Sequence, residues 1–169
     1  MSFSAPFNFQ QWIEIYRNEL KPPVCNKVVF ANETFIVMVV GGPNIRTDYH
    51  ISNTEELFYQ IEGDMILRLM LEHGVEDVII KEKEIFLLPP MIPHSPQRQA
   101  NTIGFLVEAI RKPDQKDSFR WYCKRCNHSL YEECLYISNI SEQLPEIFKK
   151  FYSNIEAHCC LNCGAMFNV

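Results

Sequence analysis

The stretch RTDYHISNTEELFYQIEG, residues 46–63, decides how the rest of the chain is read. It sets His50, the adjacent acids Glu55 and Glu56, and a closing Gly63 around one turn with strand starts beside it. Two readings fit: a polar loop between strands, or part of a metal site. A histidine in a turn next to acids is by itself ordinarily a solvated surface group, so the surroundings must choose. On the N-terminal side lie KVVFA and TFIVMVVGG, apolar and β-branched, the second ended by Gly41-Gly42-Pro43. On the C-terminal side, residues 57–90 divide into three or four strands at Gly63-Asp64, His73-Gly74 and Glu82-Lys83, and IGFLVEAIR supplies another. No helix-period segment interrupts them, so an antiparallel sandwich or barrel is expected rather than alternating β and α. Ahead of the strands, Phe9 to Asn18 reads as a short helix with Trp12, Ile13 and Tyr16 on one face, and KPPVCN then forces extended or turn backbone.

A chain of 169 residues is long enough for one domain with a core and a small appendage. Hydrophobic content of 47 % and charged content of 22 % are ordinary for a folded soluble protein. A net charge of −5 argues against nucleic acid as a partner. No segment approaches the roughly 18 apolar residues a membrane helix needs. The opening MSFSAPFNFQQW lacks the charged start and apolar run of a secretory signal, so a reducing, cytoplasmic location is expected. In that compartment seven cysteines are read for metal before disulfides.

Texture changes after Pro113. KPDQKDSF reads as a polar linker, followed by WYCKRC, a strand-like SLYEECLYI, an amphipathic helix over about Ser141 to Ser153, and CCLNCG. The helix turns Leu144, Ile147, Phe148 and Phe151 inward, with Asn139 or Ser141 as N-cap. Residues 1–112 are expected to form the barrel with its N-terminal helix, and residues 113–169 a linker and tail too small for a core of its own, which needs a staple. Cys123-x-x-Cys126 and Cys160-x-x-Cys163 supply one: four thiolates around a tetrahedral ion, with metal–sulfur bonds of about 2.3 Å for zinc. Gly164 permits the tight backbone of the second knuckle. Sulfur ligation with no open position points to a structural ion, zinc or iron. Cys159 competes with Cys160, but the x-x spacing to Cys163 favours Cys160. His128 is a ligand only if one cysteine is not. Cys134 and the aromatics Phe58, Tyr59, Phe86 and Phe105 read as core, and Cys25 as a small hydrophobe.

The opening stretch resembles the first motif of the cupin superfamily, carried by Gly42, His50, Glu56 and Gly63, with Asp48 standing where the first histidine of the usual His-x-His would be. LLPPMIPHSPQR supplies the second, Pro-rich motif with His94. The resemblance implies a mostly β fold, a cupin-type antiparallel barrel (a double-stranded β-helix). It implies a metal held by His50, Glu56 and His94. Strand alternation lets only one of two adjacent acids reach that metal, and the spacing to Gly63 selects Glu56. Two imidazoles and one carboxylate on one face of iron(II) leave positions open for a bidentate substrate and dioxygen.

LKPPVCN, MVVGGPNIRTDYH, EELFYQIEGDM, LLPPMIPHSPQR and WYCKRCNHSLYEE together resemble the 3-hydroxyanthranilate 3,4-dioxygenase family over nearly the whole chain. That resemblance implies a cytosolic, homodimeric, iron(II)-dependent ring-cleaving enzyme. Its substrates are 3-hydroxyanthranilate and dioxygen, and its product, 2-amino-3-carboxymuconate semialdehyde, cyclises to quinolinate on the route from tryptophan to NAD. It also implies that Arg98 clamps the substrate carboxylate, Glu108 meets the amino group, and Arg46 sits near dioxygen and the ring oxygen, while Asp48 and Asn26 match positions lining the same pocket. Some members of the family carry the rubredoxin-like cysteine site and others lack it.

Chemistry supports these roles independently. A guanidinium binds a benzoate carboxylate in a bidentate fork. Glu108 lies in the apolar strand GFLVEAI, where a carboxylate needs a partner, either Arg98 or the substrate. Taken alone, Arg98 reads as an exposed loop cation and Glu108 as an outward strand position. Two rival functions remain: a non-catalytic cupin that binds a small aromatic acid, and a zinc-knuckle interaction protein whose barrel is only a scaffold.

Overall fold

The computed structural model describes residues 5–22, 25–44, 46–138 and 140–168. Helix α1 (Phe9–Tyr16) begins where the Asn8 side chain accepts a hydrogen bond from the Gln11 amide at 2.9 Å. It stops two residues short of the expected Asn18 and buries Ile13 against Leu20, Val39, Ile61 and Ile103. Eleven strands follow among the described residues. β1 (Asn26–Ala31), β2 (Phe35–Gly41), β9 (Ile103–Ala109), β4 (Glu56–Glu62) and β7 (Ile85–Leu88) form one sheet in that order. The second runs β11 (Ser129–Leu135), β10 (Asp117–Tyr122), β3 (Tyr49–Ile51), β8 (His94–Arg98), β5 (Met65–Leu71) and β6 (Gly74–Ile80). All pairings within them are antiparallel, as the sequence predicts for a cupin-type barrel.

Period-2 alternation decides which side chains enter the barrel. Along β4 the buried residues are Glu56, Phe58 and Gln60, followed by Ile61 at a register shift. Their partners on β9 are Glu108, Leu106 and Gly104. Phe58, Met65, Leu67, Leu69, Ile80 and Leu88 pack between the sheets, with Phe86 against them; Tyr59 and Phe105 pack under α1. Of the four aromatics assigned to the barrel core, Phe58 and Phe86 are in it, whereas Tyr59 and Phe105 point to the opposite face of the sheet and are half-buried beneath α1.

The tail departs from expectation in three ways. First, it has a hydrophobic cluster of its own: Phe119, Trp121, Ile137, Ile147, Phe151 and Phe167 are all buried. Trp121 stacks on Phe151 at 4.4 Å. A few large aromatics bury as much surface as many aliphatics, which is how so short a segment builds a core. Second, the supposed linker ends in a strand: β10 begins at Asp117 and pairs with β3, joining the tail to the barrel sheet. Third, Cys134 is exposed on β11 rather than in the core, because that strand is the edge of its sheet and its outer face is uncovered. The tail helix, α2 (Ile140–Ser153), carries Ile147 and Phe151 buried and Leu144 and Phe148 packed beside them, as its periodicity predicts. It starts one residue before Ser141, and the alternative cap Asn139 lies outside the described residues. Among the described residues no helix is long and apolar enough to cross a membrane.

Candidate functional site

His50 on β3 and His94 on β8 are register partners in one sheet, and Glu56 opens β4 in the other. The barrel closes these strands on each other. His50 Nδ1 lies 3.4 Å from Glu56 Oε1, and His94 Nε2 lies 3.3 Å from Glu56 Oε2. The three potential ligand atoms fall within 4.8 Å of one another, and all three residues are buried. Glu56 Oε1 has no hydrogen-bond partner, a costly state for a buried oxygen. Burial pushes the Glu56 carboxyl up, but the facing His94 and His50 outweigh it and hold the group at about 2. His94 Nδ1 faces the Ile92 carbonyl at 3.0 Å, which leaves Nε2 for the shared centre. Lone pairs converging on one point with an oxygen left over are what a divalent cation would satisfy, so the donor set fits a metal.

These residues border a cavity of about 100 Å³, walled by Met38, Val40, Phe58 and Leu106 from the barrel and by Leu144 from α2. Asn26, Arg46, Arg98 and Glu108 also line it. Arg98 is 4 % exposed and, among the described residues, pairs with no carboxylate. Burial pulls its guanidinium down to about 10. Nη1 donates to Gln60 Oε1 at 2.8 Å, while Nε has no partner. It reaches the cavity by crossing β9 at Gly104, where an added Cβ would lie 2.5 Å from both Arg98 Nη1 and Gln60 Oε1. Of the two partners expected for Glu108, Arg98 or the substrate, Arg98 is not one. Glu108 pairs with Arg111, whose Nη2 lies 2.5 Å from Glu108 Oε2 but outside hydrogen-bond geometry, so that oxygen keeps unused accepting capacity. Arg111 follows Glu108 by three residues, just past the end of β9, where the chain has left the strand and its guanidinium can reach back to that carboxylate. Burial raises the Glu108 carboxyl, and Glu56 adds to the rise.

Arg46 is gripped by Asp48 at 2.7 and 2.5 Å, and this pairing outweighs burial to strengthen its charge. Asp48 itself does not line the cavity; it is fully buried behind Arg46. Cys25 is half-buried, and its thiol donates to the Pro43 carbonyl at 3.6 Å. Sequence reasoning missed Asp117, Arg111, Gln60 and Gly104. Asp117 is fully buried, with Oδ2 2.6 Å from His50 Nε2.

In the tail, Cys123, Cys126, Cys160 and Cys163 converge, with Cys123–Cys163 and Cys126–Cys160 sulfurs 3.6 Å apart. A tetrahedral ion with bonds of about 2.3 Å needs sulfurs about 3.8 Å apart. Each knuckle closes by an amide bonded back to its first cysteine, Asn127 to Cys123 at 2.9 Å and Gly164 to Cys160 at 2.8 Å. Gly164 has φ +68°, the left-handed turn its type allows. Asn162 donates to Cys126 Sγ and lowers that thiol to about 6, favouring the thiolate. Cys159 is exposed and stands outside the cluster, and His128 takes part through its backbone carbonyl.

A model of the 3-hydroxyanthranilic acid dioxygenase family matches residues 1–152. Two similar proteins are the 3-hydroxyanthranilate 3,4-dioxygenase of Xanthomonas euvesicatoria pv. vesicatoria, 46 % identical over 94 % of this chain and 90 % of that protein, and that of Jannaschia sp., 46 % identical over 97 % and 92 %. The crystal structure of a cupin-2 domain containing protein from Shewanella frigidimarina covers 61 % of this chain and 93 % of its own, with TM-score 0.50 and 14 % identity, a likeness of fold alone. On this basis the chain belongs to the 3-hydroxyanthranilic acid dioxygenase family.

Proposed function

We propose that the protein is a ring-opening dioxygenase that converts 3-hydroxyanthranilate and dioxygen to 2-amino-3-carboxymuconate semialdehyde, the precursor of quinolinate in NAD formation from tryptophan. The observation that carries this reading is Arg98, a buried cation without a carboxylate partner among the described residues, in the cavity shared with His50, Glu56 and His94. Such a group calls for an anionic ligand.

His50, Glu56 and His94 would hold iron(II), which when bound supplies Lewis acidity toward the ring hydroxyl and a place for dioxygen to exchange electrons with the ring. Arg98 binds the carboxylate of the substrate and fixes the ring's orientation. Glu108, ion-paired with Arg111 through Oε2 but with no hydrogen bond of good geometry there, takes a hydrogen bond from the amino group. Arg46, held in place by Asp48, presents positive charge where an oxygen gains negative charge during ring opening. Asn26 lines the same cavity, and Met38, Val40, Phe58, Leu106 and Leu144 keep bulk water from it. The four tail cysteines hold a structural zinc or iron ion. Residues 1–112 act as the catalytic unit and residues 113–169 as its metal-stapled wall. The protein works in the cytoplasm as a homodimer; exposed Phe35, Ile85 and Leu87 on the outer face of the β2–β7 sheet suit a subunit contact.

Anaerobic loading with iron(II) followed by oxygen uptake on 3-hydroxyanthranilate tests the function. One dioxygen consumed per substrate, with the semialdehyde's absorbance rising in step, is the expected result. Tight binding of the substrate with no uptake would support a non-catalytic cupin instead.

A further inference from the structure

Asp117 lies in the polar segment between barrel and tail, yet no part of it reaches solvent. Its Oδ2 is 2.6 Å from His50 Nε2, whereas His50 Nδ1 is the nitrogen turned toward Glu56. Phe119, two residues further along β10 and the register partner of His50, stacks on the imidazole at 4.9 Å and 15°. One short strand thus fixes both the plane and the outer edge of this ring. Behind Asp117 stands Arg111. Its Nε lies 3.2 and 3.1 Å from the two carboxylate oxygens, and its Nη2 lies 2.8 Å from Oδ2. The same Nη2 touches Glu108 Oε2.

We propose that Asp117 and Arg111 are a positioning pair: Asp117 makes His50 a metal ligand through Nδ1, and Arg111 ties that ring to Glu108. The inference rests on the reading of His50, Glu56 and His94 as metal ligands. A neutral imidazole carries one proton, and a carboxylate against Nε2 requires that proton to sit there. The lone pair is then left on Nδ1, facing Glu56 and His94. Such outer carboxylates orient the ring and raise its basicity toward a metal, and losing one costs about 10- to 100-fold in metal affinity. Arg111 gives Asp117 three close contacts, so the carboxylate cannot turn away from His50. Because one guanidinium nitrogen contacts both acids, the metal-side ring and the substrate-side Glu108 keep a fixed spacing. None of this is a contact with substrate, and the pair acts only through His50 and Glu108.

Zinc-loaded, nitrogen-15-labelled protein provides the test, because zinc is diamagnetic and the His50 and His94 resonances report the barrel site separately from the cysteine site. In the wild type, His50 is expected to be metal-bound at Nδ1 and protonated at Nε2. Chelator competition followed on those resonances should show zinc bound about 10- to 100-fold more weakly in Asp117→Asn. Arg111→Gln should weaken it too and also raise KM for 3-hydroxyanthranilate, whereas a purely structural lesion would lower the melting temperature without moving the nitrogen assignment or KM. Coordination of wild-type His50 through Nε2, or unchanged zinc affinity in a folded Asp117→Asn, would overturn the proposal. If Asp117→Asn does not fold, the wild-type nitrogen assignment decides alone. Absence of zinc from His50 and His94 in the wild type would instead sink the metal reading, and this pair with it.

Discussion

The barrel cavity and the cysteine knuckles each gather a compact set of metal-type ligands, and they differ in what they leave unsatisfied. In the tail, four sulfurs lie within 4.8 Å of one another, two pairs of them 3.6 Å apart, and the knuckle amides are bonded back to the cysteines. In the barrel, three ligands occupy one side of a cavity, and Glu56 Oε1, Glu108 Oε2 and Arg98 Nε lack hydrogen-bond partners. A closed set lowers the free energy of the fold. An open set leaves buried polar atoms with bonding capacity that a metal and a substrate can take up, so it costs stability and supplies chemistry. The tail also reaches the barrel site: α2, packed in the tail's aromatic cluster, sends Leu144 into the cavity wall and sets Phe148 5.8 Å from the Arg46 guanidinium.

If this contrast is right, the largest effect belongs to the barrel ligands. His94→Ala should lower kcat/KM for 3-hydroxyanthranilate by more than about a thousandfold, since the metal's contribution is removed outright; oxygen uptake measures it. Retained activity within threefold would break the comparison. Cys160→Ser should act in the opposite sense. Loss of the ion proposed for the knuckles is expected to lower the melting temperature by about 5–10 °C, with kcat/KM changed less than about tenfold. Calorimetry beside the oxygen assay checks both halves, and a thousandfold loss of activity with an unmoved melting temperature would show that the tail ion takes part in the chemistry.

The cysteine site could be read directly because each knuckle is local: two ligands per turn, followed by a residue in the left-handed region, Asn127 in the first knuckle and Gly164 in the second. The barrel ligands are spread from β3 to β8, so only two motifs read jointly found them. Arg98 could be reached by alternation, since His94, Pro96 and Arg98 share one face of β8. Asp117 was hidden by its company in KPDQKDSF. The signal was there all the same: Asp117, Phe119 and Trp121 alternate with exposed or half-exposed residues and are all buried. Gly104 gave no signal as a type, because its role is to be crossed by a side chain from another strand. Cys134 misled for a related reason, as nothing local reveals that β11 is a sheet edge.

The open site's unsatisfied cation gives the next prediction. Arg98→Met should raise KM about 10- to 100-fold, the worth of charge-assisted hydrogen bonds of about 1.5–3 kcal/mol. The change in kcat should stay within about threefold, because a carboxylate clamp binds ground and transition states alike. Replacing a buried, unpaired guanidinium by an apolar chain of similar length should leave the melting temperature equal or higher. A lower melting temperature with unchanged KM would make Arg98 a structural residue.

The smallest and most diagnostic effect is at Gly104. Its backbone conformation in β9 is open to any residue, and the atoms an added methyl would meet are the ends of two flexible side chains, Arg98 and Gln60. Gly104→Ala should therefore fold, with a melting temperature within about 3 °C of the parent. The guanidinium, however, cannot stay where it lies, and the Arg98–Gln60 hydrogen bond must open. We expect KM to rise about 5- to 10-fold with kcat nearly constant, since a displacement of a clamp weakens its bonds without removing its charge. The combination Gly104→Ala with Arg98→Met should then be no worse in KM than Arg98→Met alone, because the guanidinium is gone and the methyl has only the flexible Gln60 side chain left to move. Additive losses in that double variant would mean that Gly104 serves the cavity by some route other than Arg98.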